Sequence, residues 1–283
     1  MKTSRRTFFQ RLGFGAIGLA ATPTLLKARY PEPKPVSKKV KFELGVASYG
    51  LRGLSFDEMV EGMKILGIRN LSLKSMHLPF ELSNDELKQR MKVMRDAGLN
   101  PYAPGVVYMK SEQEVHDRFA YTQTAGMKMI VAVPNYELLD LVEEKIKETG
   151  IRIAIHTHGP DNLPYPTPED AYNRIKHRDP RFGICIDLAH ALRSGLDPAD
   201  QLKIVKDRVF DIHIRDITEA AKEGHSIRPG QGVFDFKASL QALIDIEYSG
   251  FLSIEYEAEE KSPIPGYAET KGYINGVLSG MGY

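Results

Sequence analysis

"RIAIHTHGP", residues 152–160, is the stretch that decides the fold. It reads as a short apolar strand that ends in two histidines. Alternate residues of a strand share a face, so Ala154, His156 and His158 point one way and Ile153, Ile155 and Thr157 the other. Gly150 closes the amphipathic stretch before it, and Thr167-Pro168 supplies an N-cap and a first-turn proline for the stretch after it. The unit is helix, strand, helix.

The same alternation runs outward from Lys41. Further strands are predicted in "FELGVAS", "RNLSLKS", "NPYAPGVV", "KMIVAVP", "FGICID", "VFDIHIRD" and "FLSIEYE", making eight. Ser55-x-x-Glu58, Ser83-x-x-Glu86 and Ser111-x-x-Glu114 read as capping boxes, and Asp197-Pro198 as a further helix start. Gly67, Gly98, Gly126 and Gly150 read as left-handed stops. Eight β-α units with right-handed crossovers imply a single (β/α)8 TIM barrel of the α/β class over residues 41–283. An open doubly wound sheet would want a glycine-rich phosphate loop after its first strand, and "ASYGLRGLSFDE" has none. The last unit, "GYAETKGYINGVLSG", reads as a short helix with loose ends.

Such barrels keep their chemistry at the C-terminal strand ends. The polar residues there are Lys74 and His77 after strand two, His156 and His158 on strand five, and Asp187 and His190 on strand six. Strand seven adds His213, Arg215 and Asp216, and strand eight Glu255 and Glu257. Of eight histidines, only His116 and His177 fall on predicted helices. Imidazoles and carboxylates converging on one mouth make a divalent-metal site. His156, Asp187, His213 and Glu255 come from four consecutive strands and form the expected ligand set. Two nitrogens and two carboxylates suit manganese, cobalt, iron or zinc better than calcium. The single Cys185 excludes an internal disulfide and a cysteine-based zinc cluster, and reads as a small buried side chain.

"FGICIDLAHALRSG", "VFDIHIRDI", "GFLSIEYE" and "GQGVFDF" (230–236) together resemble the xylose isomerase-like TIM-barrel superfamily, the sugar phosphate isomerase/epimerase-like barrels, over residues 41 to about 258. The resemblance implies metal ligands at Asp187, His213 and Glu255. At the fourth ligand position this family usually has a glutamate, and this chain has His156. The implied chemistry is proton abstraction beside a sugar carbonyl, with Glu255 as base and His156 or His158 as the second acid or base. His158, His190, Arg215, Lys74 and His77 are expected to contact substrate. Proton return gives an isomerase or epimerase. Elimination from a keto-glycoside gives a lyase. The Glu-to-His change also leaves open a non-catalytic sugar-binding barrel. Abasic-DNA endonucleases share the fold but need an Asp-x-His after strand seven, and "EGHSIRPGQG" has no such pair.

The N-terminus is different in kind. "SRRTFF" (4–9) and the weakly apolar stretch after it resemble a twin-arginine export signal over residues 1–29, with no stable membrane span after export. "YPEPKPVSKK" begins a linker over 30–40. The expected location is the periplasm, and the expected substrate an unphosphorylated sugar or keto-glycoside. Residues 1–29 hold six basic residues and no acid, so the formal net charge of +1 becomes −5 for residues 30–283. That balance disfavours nucleic acid as a partner. Nothing in the sequence fixes an interface, and a homo-oligomer stays open.

Overall fold

The computed structural model describes residues 38–161 and 164–283. The export-signal reading of 1–29 lies outside the described residues, as does the linker up to residue 37. The strands are β1 (Glu43–Ala47), β2 (Asn70–Leu73), β3 (Asn100–Pro104), β4 (Val107–Met109), β5 (Met129–Pro134), β6 (Arg152–His156), β7 (Phe182–Asp187), β8 (Val209–Ile214), β9 (Asp216–Ile217), β10 (Ser226–Ile227) and β11 (Phe251–Ile254). The α-helices are α1 (Phe56–Leu66), α2 (Asn84–Asp96), α3 (Glu112–Ala125), α4 (Leu139–Thr149), α5 (Pro168–Ile175), α6 (Leu188–Arg193), α7 (Pro198–Ile204), α8 (Phe236–Asp245) and α9 (Pro263–Gly280).

Nine strands form one parallel sheet in the order β3-β2-β1-β11-β8-β7-β6-β5-β4. Its two edges, β3 and β4, are halves of one predicted strand, "NPYAPGVV", interrupted at Gly105 and Val106. β3 pairs with β2 and β4 with β5, so the sheet curls into a nearly closed TIM barrel. β9 and β10 are an added antiparallel pair at the mouth.

The helix signals act as their chemistry requires. Ser55 and Ser83 complete both arms of their capping boxes with Glu58 and Glu86. Ser111 completes only one. Glu114 instead accepts from the Lys110 amide, because the chain enters α3 extended and presents that amide first. The final helix is a correction. Rather than short and loose, α9 runs for 18 residues. Pro263, Tyr267, Thr270, Ile274 and Leu278 recur every three or four residues and are buried against the barrel. The glycines that obscured this pattern, Gly272, Gly276 and Gly280, face open space.

One irregularity sets the site. Ile184 pairs with Val209, but Cys185 pairs with Asp211, so Phe210 is an extra residue in β8. The slip puts Asp187 opposite His213. Without it Asp187 would face Ile212, and the polar residues of β8 would be out of phase with those of β7.

Candidate active site

The four residues of the expected ligand set meet. One donor atom from each of His156, Asp187, His213 and Glu255 lies within 4.8 Å of the others, and all four side chains are buried. The register explains how. His156 pairs with Cys185, two residues before Asp187, and His213 pairs with Ser253, two residues before Glu255. The β6–β7 and β8–β11 steps each climb two residues along the tilted strands, and Asp187 and His213 stand directly opposite each other.

The bonds run as a chain. His158 Nε2 meets the Tyr108 hydroxyl at 3.1 Å, and His158 Nδ1 meets His156 Nδ1 at 3.4 Å. His156 Nε2 lies 3.2 Å from His213 Nδ1, which lies 3.2 Å from Glu255 Oε2. Arg215 Nη1 donates to Asp187 Oδ2 at 2.5 Å and to Glu255 Oε2 at 2.9 Å, and its Nε faces Glu257 at 3.3 Å. Arg215 Nη2 reaches His190 Nε2 at 3.3 Å. Asp187 does double duty, since its Oδ1 caps α6 by accepting from the His190 amide at 2.8 Å.

The electrostatics follow from burial. Burial, then the neighbouring imidazoles, hold His156 well below its usual value. Burial and His190 push His158 down to about 4, and burial brings His190 to about 4. These rings are neutral at neutral pH and offer lone pairs. Burial alone would raise Asp187, but Arg215, His190 and His213 hold it below the usual carboxylate range. Burial also opposes charge on His213, yet Cys185 and Glu255 reverse this and lift it above its usual value.

This arrangement fits a divalent ion. His156 Nε2, His213 Nδ1 and Glu255 Oε2 face one another, and three acceptors in contact need a proton or a cation between them. Two imidazole nitrogens on one tetrahedral metal at about 2.0–2.1 Å stand about 3.3 Å apart, close to the 3.2 Å seen here. Cys185 also approaches His156 and His213, and burial pushes its thiol up to about 12.

Two of the four, His156 and Glu255, line a cavity of about 590 Å³, with Asp187 and His213 buried next to them. His158, His190, Arg215 and Lys74 line it, as their sequence positions suggested. His77 does not. It is fully buried behind the wall, with Nδ1 3.1 Å from the Ser48 hydroxyl and Nε2 3.2 Å from the Leu51 and Leu54 carbonyls. Two carbonyl acceptors make Nε2 the protonated nitrogen. Ser48 Oγ also accepts from the Lys74 amide at 2.8 Å, so His77 holds the loop after β1 against the end of β2.

The structure adds residues to the site. Tyr49, Tyr108, Arg193, His225 and Glu257 line the cavity. Tyr108 and Glu257 were readable as residues at strand ends; Tyr49 and Arg193 carried no signal. Asp216 ties down the rim. Its carboxylate accepts from the Gly230, Gly232 and Phe234 amides at 2.8, 3.0 and 3.0 Å. A Cβ on Gly232 would sit 2.1 Å from the Ile217 carbonyl, so only glycine fits there. Gly159 serves the His156–His158 loop in the same way. Its φ is +71°, and a Cβ would stand 2.8 Å from the His190 carbonyl.

A sequence profile described as "Xylose isomerase-like TIM barrel" matches residues 10–275. The chain belongs to the xylose isomerase-like TIM-barrel family. Within it, an inosose dehydratase of Lacticaseibacillus casei is 22% identical over 158 residues, covering 50% of this chain and 53% of that protein. The chain thus spans about half the length of such curated relatives. Solved members of the same fold include the IolI protein with a binding zinc atom, at TM-score 0.69 and 19% identity over 84% of this chain and 99% of that one. The 3-keto-D-glucoside 4-epimerase YcjR of E. coli gives TM-score 0.67 and 16% identity over 83% and 100%. These likenesses show the fold. What this family member does must come from its own site.

Proposed function

We propose that this chain removes a proton beside the carbonyl of an unphosphorylated sugar or keto-glycoside and acts as an isomerase or epimerase, using one divalent ion held by His156, Asp187, His213 and Glu255. The observation that carries the reading is the meeting of those four donors beside a cavity that His156 and Glu255 line. When bound, such an ion supplies a Lewis acid that polarises a carbonyl and its neighbouring hydroxyl. Glu255 is the base. Its Oε2 is engaged by His213 and Arg215, and its Oε1 makes no hydrogen bond among the described residues. His158 moves the second proton, backed by the Tyr108 hydroxyl. Arg215 holds both carboxylates in place, and His190 faces the substrate. The names of the relatives, an inosose dehydratase and a 3-keto-D-glucoside 4-epimerase, support the class of substrate and reaction.

Elimination is the second reading, favoured by His156. With imidazole where a second carboxylate was expected, proton delivery to the opposite face lacks its usual group. Loss of a substituent next to the carbanion needs only one removal. On the reading of residues 1–29 as a twin-arginine signal, this chemistry takes place in the periplasm.

The test is solvent deuterium exchange into a panel of keto-sugars, with manganese added. Exchange at the carbon beside the carbonyl is expected. Binding without exchange would make the chain a sugar-binding barrel instead. Product analysis then separates epimer from unsaturated sugar.

A further inference from the structure

The wall opposite the carboxylates is built around one ammonium group. Lys74 directly follows β2, and burial lowers its pKa although Glu255 pulls the other way. Its Nζ donates to the Val106 carbonyl at 2.8 Å. It lies 5.8 Å from the centre of the Tyr49 ring and 5.9 Å from that of Tyr108. Among the described residues no carboxylate stands within ion-pair distance of it. Two ring faces and one carbonyl solvate an ammonium without neutralising it.

The carboxylates of the site are already engaged. Asp187, Glu255 and Glu257 surround Arg215, and a divalent ion beside them would bring the local positive charge level with those three. The Lys74 charge is then left over. It is also held in place, because the Lys74 amide is fixed by Ser48 and Ser48 by the buried His77. A positioned, part-buried cation without an anion, facing a polar cavity, is built for an anion that arrives with the ligand.

We infer that the substrate is a sugar acid whose carboxylate docks on Lys74. The inference rests on the proposed function and names the class of its substrate. A carboxylate rather than a phosphate is indicated by the anchor itself, one ammonium flanked by tyrosines. The metal cluster takes the carbonyl end and Lys74 the carboxylate end, so the substrate lies across the mouth of the barrel.

The experiment uses the full chain loaded with manganese. Binding of D-glucuronate and D-galacturonate is compared by calorimetry with that of their amides and of D-glucose 6-phosphate. At least one acid is expected to bind about tenfold tighter than its amide and tighter than the phosphate. Lys74→Met should erase that preference while metal content stays unchanged, and Lys74→Arg should keep it. The inference is overturned by a panel in which no acid outbinds its amide, by a phosphate that outbinds both acids, or by a preference that survives Lys74→Met. Metal content and deuterium exchange are read separately. A chain that binds no metal but still prefers acids through Lys74 would therefore sink the proposed chemistry and leave the anchor standing.

Discussion

The two halves of the barrel mouth differ in kind. The half built from β6, β7, β8 and β11 brings in two imidazoles and two carboxylates that touch one another, with Arg215 among them. The half built from β1, β2 and β4 lends the cavity Tyr49, Lys74, Val106 and Tyr108, and not one carboxylate among the described residues. Ionisable groups in contact cost much to bury unless a shared cation or proton compensates them, so the first half is built for chemistry. The second can afford only one charge and surrounds it with rings, which suits recognition. Substitutions on the first half should therefore change kcat and metal content, and those on the second KM, except at Tyr108, whose hydroxyl reaches across to His158.

The largest effect expected is on the chemistry. Glu255→Gln keeps an oxygen for the metal but loses the base, and exchange should slow about 10³-fold with little change in substrate affinity. Isotope exchange followed by NMR reads this. Stripping the protein with a chelator should abolish exchange, and manganese should restore it.

Arg215 tests the compensation within the first half. Arg215→Met leaves Asp187 and Glu255 buried without their cation, and the metal-free protein should lose about 3 kcal/mol in urea unfolding. Added manganese should recover much of that. A loss that metal does not relieve would mean the two carboxylates do not share a metal.

Across the mouth the effects should shrink. Tyr108→Phe removes the hydroxyl 3.1 Å from His158 Nε2, and kcat should fall about fivefold, as expected for one neutral hydrogen bond. His77→Ala touches neither metal nor substrate. It should cost about 2 kcal/mol of stability for the buried groups left unpaired, and should raise KM through the Ser48–Lys74 tie, with kcat held. An equal fall in kcat would break the division between the halves.

The two halves were also unequally legible in the sequence. The β6–β11 half could be read because period-two alternation carries donors to one face, and four strand ends repeat the pattern. The β1–β4 half was legible at Lys74 but not at His77. His77 follows its strand end just as His190 follows Asp187, yet it turns away into the wall because two carbonyl acceptors and one hydroxyl donor await it there. Sequence position cannot tell these two histidines apart; local hydrogen bonding does. The bulge at Phe210 was equally hidden, since register belongs to the strand pair and not to either strand. Cys185 lay in view on the face of Asp187, but nothing in the sequence showed that it borders the site. The length of α9 was masked by glycines that its buried face does not use.

The most direct test of the four-residue metal site is elemental analysis of the full chain purified without chelators, beside the double variant Asp187→Asn/His213→Ala. One divalent ion per chain is expected in the natural sequence and a near-complete loss in the variant, with circular dichroism unchanged. A natural chain without stoichiometric metal, or a folded variant that keeps its ion, would contradict it.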